Sequence, residues 1–234
     1  MTFRLLTSFS LLACAPAFCA NVAGAVELTN AKGARVREAS GIAVWLEPLE
    51  GKAPLPVGKV HVITQRNKRF LPHVSVVPVG TIVDLPNFDP IFHNAFSNFA
   101  GQPFDTGLYP PGGTYKIRFQ REGVVRVFCN IHATMSAVIV VAPTPWLGST
   151  AANGSFTIAG VPPGEYTLKI WHERAQEAAL KALEKRVTVG AADLALPALA
   201  LSESGYLAVP HDNKHGQGYA PPPDEKTIYG RPRR

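Results

Sequence analysis

The sequence predicts an all-β protein, a sandwich or Greek-key barrel, with one short helix. Three observations predict it. Charged residues make up only 17% of the 234-residue chain, while Gly (20) and Pro (21) are plentiful. That composition excludes a long coiled coil and a highly charged disordered chain. Short β-branched and aromatic runs recur with Gly, Pro and Asn between them, as in a sandwich or barrel. No apolar run past the N-terminus approaches the ~18 residues of a membrane-spanning helix.

Residues 1–25 read as an export signal, which implies a periplasmic protein. Arg4 is the only charge before Glu27, and an apolar stretch from Leu5 to Ala13 leads into small residues. Ala15-Pro16-Ala17 and Ala23-Gly24-Ala25 both fit a cleavage site. Leu11-Leu12-Ala13-Cys14 resembles a lipoprotein box, so lipid anchoring stays open. Cleavage after Ala20 or Ala25 would leave Cys129 as the one cysteine, unable to form an internal disulfide. A lone thiol in an oxidising compartment is a liability unless something occupies it, and a bound metal would.

Residues 26–50 hold two short strands around a Gly-containing turn, the clearer being Ile42 to Leu46. Residues 51–142 carry strand-like runs at His61–Thr64, Val74–Val77, Thr81–Val83, Thr114–Phe119, Val124–Phe128 and Ala137–Val141. Pro72, Pro78 and Gly80 punctuate the first of these. A long loop region, 84–113, is rich in Asn, Asp, Pro and Phe. In residues 143–204, Asn153-Gly154 signals a hairpin before Ser155–Ile158. Glu165 to Trp171 alternates after the Val161-Pro162-Pro163-Gly164 turn. Glu173 to Lys185 is the one helix, with Ala179, Leu180, Leu183 and Val187 along one face. Arg186 to Val189 is a last strand, and Ala191 to Leu201 is apolar without a clear period. Residues 205–234, Gly/Pro-rich and basic at the end, read as a disordered tail.

The formal net charge is +6, and residues 51–142 alone carry a net +5. A positive middle favours encounter with an acidic partner, while the lack of a long basic run speaks against nucleic acid. No catalytic triad order, phosphate loop or dinucleotide fingerprint occurs, so an enzyme is not expected.

The chemistry is concentrated in Cys129-Asn130-Ile131-His132-Ala133-Thr134-Met135, a C-x2-H-x2-M run directly after a strand, with His93-Asn94 upstream. One thiolate, two imidazoles and a thioether suit copper cycling between two oxidation states. The other readings are a buried cysteine beside a loop histidine and a core methionine, or zinc, for which Met is a poor ligand. His61 and His73 have no metal partner at a readable spacing and read as structural or exposed. Trp171-His172 suits packing, Arg66-Asn67-Lys68-Arg69 a solvated turn, and His211-x3-His215 adventitious metal at most.

His93-Asn94 with Phe128 through Met135 resembles the type 1 (blue) copper site of cupredoxins such as plastocyanin and amicyanin, the short loop being closest to amicyanin. The resemblance implies a Greek-key sandwich over 51–142 holding one type 1 copper. It implies His93, Cys129 and His132 as equatorial ligands, Met135 as the weak axial one, and Asn94 as the tie between the two ligand loops. With Phe70-Leu71-Pro72, Phe104 to Tyr109 and Trp171-His172, the chain is also similar to exported cupredoxins named methylamine utilization proteins. The flanks, 26–50 and 143–204, resemble a carboxypeptidase-regulatory or Cna-B-like sandwich, which implies a second, smaller β-sandwich split around the first.

The resemblance implies an electron carrier whose partner is a c-type cytochrome or a periplasmic dehydrogenase. A copper delivery or storage protein is the alternative, and an adhesion module with a vestigial loop a third reading.

Overall fold

The structure, a computed structural model, describes residues 19–98, 102–204 and 212–219. The export signal expected at 1–25 lies outside them as far as residue 18, as do 205–211 and 220–234 of the expected tail. Two strands open the chain, β1 (Ala20–Thr29) and β2 (Ala43–Pro48). Ten follow: β3 (Val60–Val62), β4 (Thr64–Arg66), β5 (Arg69–Leu71), β6 (Val74–Pro78), β7 (Ile82–Asp84), β8 (Phe96–Ser97), β9 (Phe104–Asp105), β10 (Lys116–Arg118), β11 (Gly123–Phe128) and β12 (Ser136–Ala142). The last stretch holds β13 (Leu147–Ser149), β14 (Ser155–Val161), β15 (Gly164–Trp171), the helix α1 (Glu177–Ala182), β16 (Lys185–Val189), β17 (Leu194–Ala195) and β18 (Leu199–Ser202).

These elements close over two hydrophobic cores. The outer core draws on both ends of the chain. One of its sheets runs β14-β1-β17, with β18 also on β1, and the other runs β13-β2-β15-β16. Alternation decides which side chains face in: Ile42, Val44 and Leu46 from β2, with Tyr166, Leu168 and Ile170 from β15, are buried together. Gly24 sits opposite Phe156 across the β1–β14 pair. A Cβ at position 24 would fall 2.7 Å from that ring, so the ring lies where a side chain would otherwise stand. Gly154, in the left-handed region (φ 83°), turns the chain against the Val26 carbonyl.

The inner core belongs to the middle of the chain. Its sheets run β6-β12-β11-β8-β9 and β10-β7-β3, with the hairpin β4-β5 beside them. Ile63, Phe70, Val83, Leu85, Phe119, Val125 and Val127 fill it. β12 is buried on both faces: Ala137, Ile139 and Val141 enter the inner core, and Val138, Val140 and Ala142 are buried on the reverse side. The apolar run read there is the signature of such a strand.

Three expectations need correction. β1 begins at Ala20 and buries Ala20 and Val22, so the outer core reaches into the segment assigned to the export signal. Ala and Gly favour strands weakly, and pairing with β14 overrides that. The helix expected over 173–185 is only Glu177–Ala182, because Gln176 is extended without capping the helix and Lys185 already pairs with Leu168 in the sheet. Within the tail expected to be disordered, residues 212–219 form a turn packed against the inner domain's ligand loops.

Candidate metal centre

β11 and β12 form an antiparallel hairpin whose last register pair is Phe128–Ser136. The seven residues between them are therefore the hairpin loop itself, 129–135. The Cys129 N–H donates to the Met135 carbonyl (3.1 Å), and the Met135 N–H to the His132 carbonyl (3.0 Å). Period-two alternation then fixes the side chains. Cys129 continues the inward set Val125, Val127, and Met135 leads into Ala137, Ile139, Val141. Cys129 and Met135 are both fully buried in the inner core, while Ile131, Ala133 and Thr134 are exposed and His132 is half-buried.

His93 arrives from the long loop after β7. Its backbone is pinned by an antiparallel bridge to Tyr109 (3.3 and 2.8 Å), and its ring is fully buried. The Nδ1 atoms of His93 and His132 approach the Cys129 Sγ to 3.8 and 3.5 Å. The ring centroids lie 4.8 Å apart. These three ligand atoms all fall within 4.8 Å of one another, so the structure gathers His93, Cys129 and His132 from two remote stretches. One thiolate and two imidazoles can hold copper, or zinc.

The other nitrogen of His93 is held as well. Its Nε2 pairs with Asp89 Oδ2 at 2.8 Å. Asp89 in turn accepts from the Asn67 and Lys68 N–H groups (2.5 and 2.8 Å) at the tip of the β4–β5 hairpin. Asn67 and Lys68 both sit at φ 55°, which turns their amides toward the carboxylate. A carboxylate behind a ligating imidazole fixes the ring's orientation and leaves Nδ1 to face the thiol. Sequence reading placed Asp89 in the loop without assigning it a role. The available signal was an Asp four residues before the histidine, in a loop that Asn87 closes through Ile91 (2.8 Å).

Asn94 bonds across to the thiolate loop. Its Oδ1 accepts the Asn130 N–H at 2.6 Å, and its Nδ2 donates to Asp105 at 3.4 Å.

Burial governs the electrostatics. It pushes the Cys129 thiol up, against partial relief from the Asn94, Ile131 and His132 N–H groups, so a metal would have to displace the proton. Burial pushes His93 down, against the pull of Asp89, which favours the neutral ring a metal needs. Burial would raise Asp89, but the Lys68 amide, the His93 ring and the Asn67 amide outweigh it and hold the carboxyl below its usual range.

Three other histidines pair outside this cluster. His61 bonds Ser75 (2.9 Å), His73 bonds Glu173 (3.0 Å) and His172 bonds Glu203 (3.1 Å). His211 lies outside the described residues. Arg66 stacks over Phe88 at 5.2 Å. No described helix is long and apolar enough to cross a membrane.

No protein-family model matches the chain, and neither does any curated protein. Solved structures do. A purple cupredoxin from Nitrosopumilus maritimus is 26% identical, covering 36% of this chain and 99% of its own, with a TM-score of 0.32. A copper-containing nitrite reductase from Thermus scotoductus is 30% identical over 41% of this chain, with a TM-score of 0.33. This chain spans only 25% of that enzyme's length. An amicyanin variant in the Cu(I) state is 18% identical over 39% of this chain and 100% of its own, with a TM-score of 0.33.

Proposed function

We propose that this protein is a periplasmic electron carrier with one type 1 copper, not an enzyme. The observation that carries the reading is the buried Cys129 thiol with the Nδ1 atoms of His93 and His132 at 3.8 and 3.5 Å. Copper held there would supply a one-electron couple between its two oxidation states.

The protein's own residues do the rest. Cys129 gives the thiolate, His93 and His132 the imidazoles, and the buried Met135 a weak thioether. The Asp89 buttress and the Asn94 cross-tie limit how far the ligands move when an electron arrives or leaves. The half-buried His132 is the port. Exposed Ile131 precedes it, and exposed Phe92 and Leu108 flank the His93–Tyr109 bridge, apolar side chains suited to brief docking. The net +5 of residues 51–142 steers a partner with an acidic face, a c-type cytochrome or a periplasmic dehydrogenase.

The test is a Cu(II) titration of the copper-free protein beside Cys129→Ser, followed by optical and EPR spectra. An intense visible thiolate-to-copper band is expected, bleached reversibly on reduction and absent from the variant. Tight Cu(I) uptake without the band would move the reading to copper delivery or storage. No uptake would end both.

A further inference from the structure

We propose that residues 212–219 form a strap that acts as a third wall of the metal centre, holding the thiolate loop closed and slowing access to Cys129. The proposal deepens the copper reading and rests on it for the ligand, but not for the strap's action on the thiol.

The strap is a self-contained turn. Asn213 Oδ1 accepts the His215 and Gln217 N–H groups (2.9 and 3.1 Å). The Asn213 N–H donates to the Gln217 carbonyl and the Gly216 N–H to the Asn213 carbonyl (2.8 and 2.9 Å). Gly216 makes the reversal at φ 71°.

This turn reaches the metal loops at three points. The Lys214 N–H donates to Asn130 Oδ1 (3.0 Å), Lys214 Nζ pairs with Asp105 Oδ2 (2.7 Å), and the Tyr219 hydroxyl donates to the Cys129 carbonyl (2.7 Å). Two of the three grip the thiolate loop. The third joins a circuit in which Asn94 binds Asn130, Asn130 binds Lys214, Lys214 binds Asp105, and Asp105 returns to Asn94. Asn94 follows His93 directly, so the circuit links both ligand stretches to the strap.

Opening the loop to admit or release an ion, or to expose the sulfur, moves Cys129 and Asn130. Those movements break bonds to the strap. One net hydrogen bond corresponds to about a three- to ten-fold change in an equilibrium or rate.

The experiment uses the full-length protein with Tyr219→Phe, Lys214→Ala and the double variant. One readout is the rate at which iodoacetamide labels residue 129 in the copper-free protein, followed by mass spectrometry of its peptide. A second is the rate of Cu(I) transfer from the loaded protein to bathocuproine disulfonate. Each single variant should speed both about three-fold and the double variant about ten-fold, with the thermal midpoint unchanged. Lys214→Arg, which can keep the Asp105 pair, should stay near the parent rates. Wild-type rates in the double variant would overturn the strap, as would rates that rise only in step with a falling midpoint. A parent protein that takes up no copper would sink the copper reading, and the labelling rates would still decide the strap.

Discussion

The outer core gathers eighteen buried apolar side chains and the inner core fourteen, yet buried polarity is divided very differently. Among the described residues, eight of the eleven buried polar side chains lie between Gln65 and Ser97, in the inner unit. A buried polar group costs stability unless it is bonded. The bonds of Asn87, Asp89 and Asn94 converge on the site: Asn87 shapes the Asp89 loop, Asp89 orients His93, and Asn94 ties Asn130. In the outer core, by contrast, Thr150 bonds Ile42 and Ala39 and so fastens one strand to the next. Apolar cores of similar make-up can therefore serve a frame or an instrument, and the buried polar residues tell the two apart.

The contrast can be broken most directly at Leu168, fully buried in the outer core. Leu168→Ala should cost about 2–5 kcal/mol of stability with copper affinity unchanged, as read by denaturant unfolding and a chelator competition. A large loss of copper affinity in the folded variant would show that the frame is also part of the instrument. Asp89→Asn keeps the shape and removes the charge behind His93. It should weaken copper binding about 10- to 100-fold in the same competition, with little change in unfolding. Asn94→Ala removes the acceptor for the Asn130 N–H and should cost about 1 kcal/mol, visible as faster amide hydrogen exchange at residue 130.

The smallest effect sharpens the junction between the units, where His73 of the inner stretch meets Glu173 of the outer. Pairing with Glu173 raises His73 above its ordinary 6.5, against burial, and pairing with His73 lowers Glu173 below its ordinary 4.5. The histidine's share of stability is present below pH 6.5 and is lost as pH rises through its raised value. The carboxylate's share is present above pH 4.5 and is lost as pH falls through its lowered value. The gap in stability between the parent and Glu173→Gln should thus be widest between those two values and shrink on either side. Because His73 is half exposed, the gap should be at most about 1 kcal/mol, measured by unfolding at a series of pH values.

What was legible in the chain follows the range of the forces involved. Cys129, His132 and Met135 belong to one hairpin loop, and the spacing that brings them together is local, so it can be read. His93 is less legible, since a distant loop histidine carries no fixed spacing to Cys129. Asp89 escaped because its partners His93, Asn67 and Lys68 lie in loops with no period, and the 212–219 strap because its bonds to the site span 84 to 109 residues. β1 escaped for another reason: Ala20 to Ala25 look like a processing site, and pairing with β14 and β17 makes a strand of them. The helix was overdrawn because propensity favours Glu173 to Lys185, whereas β16 claims its last turn.

The seating of β1 bears on the order in which the molecule assembles. It is flanked by β17 and β18, and Asn21 bonds Asp193 across 172 residues of chain. Among the described strands, the earliest must therefore wait for the latest before its sheet is whole. The inner unit's strands all lie within one continuous stretch and face no such delay, so the metal-bearing half can condense while the half that encloses it is still incomplete.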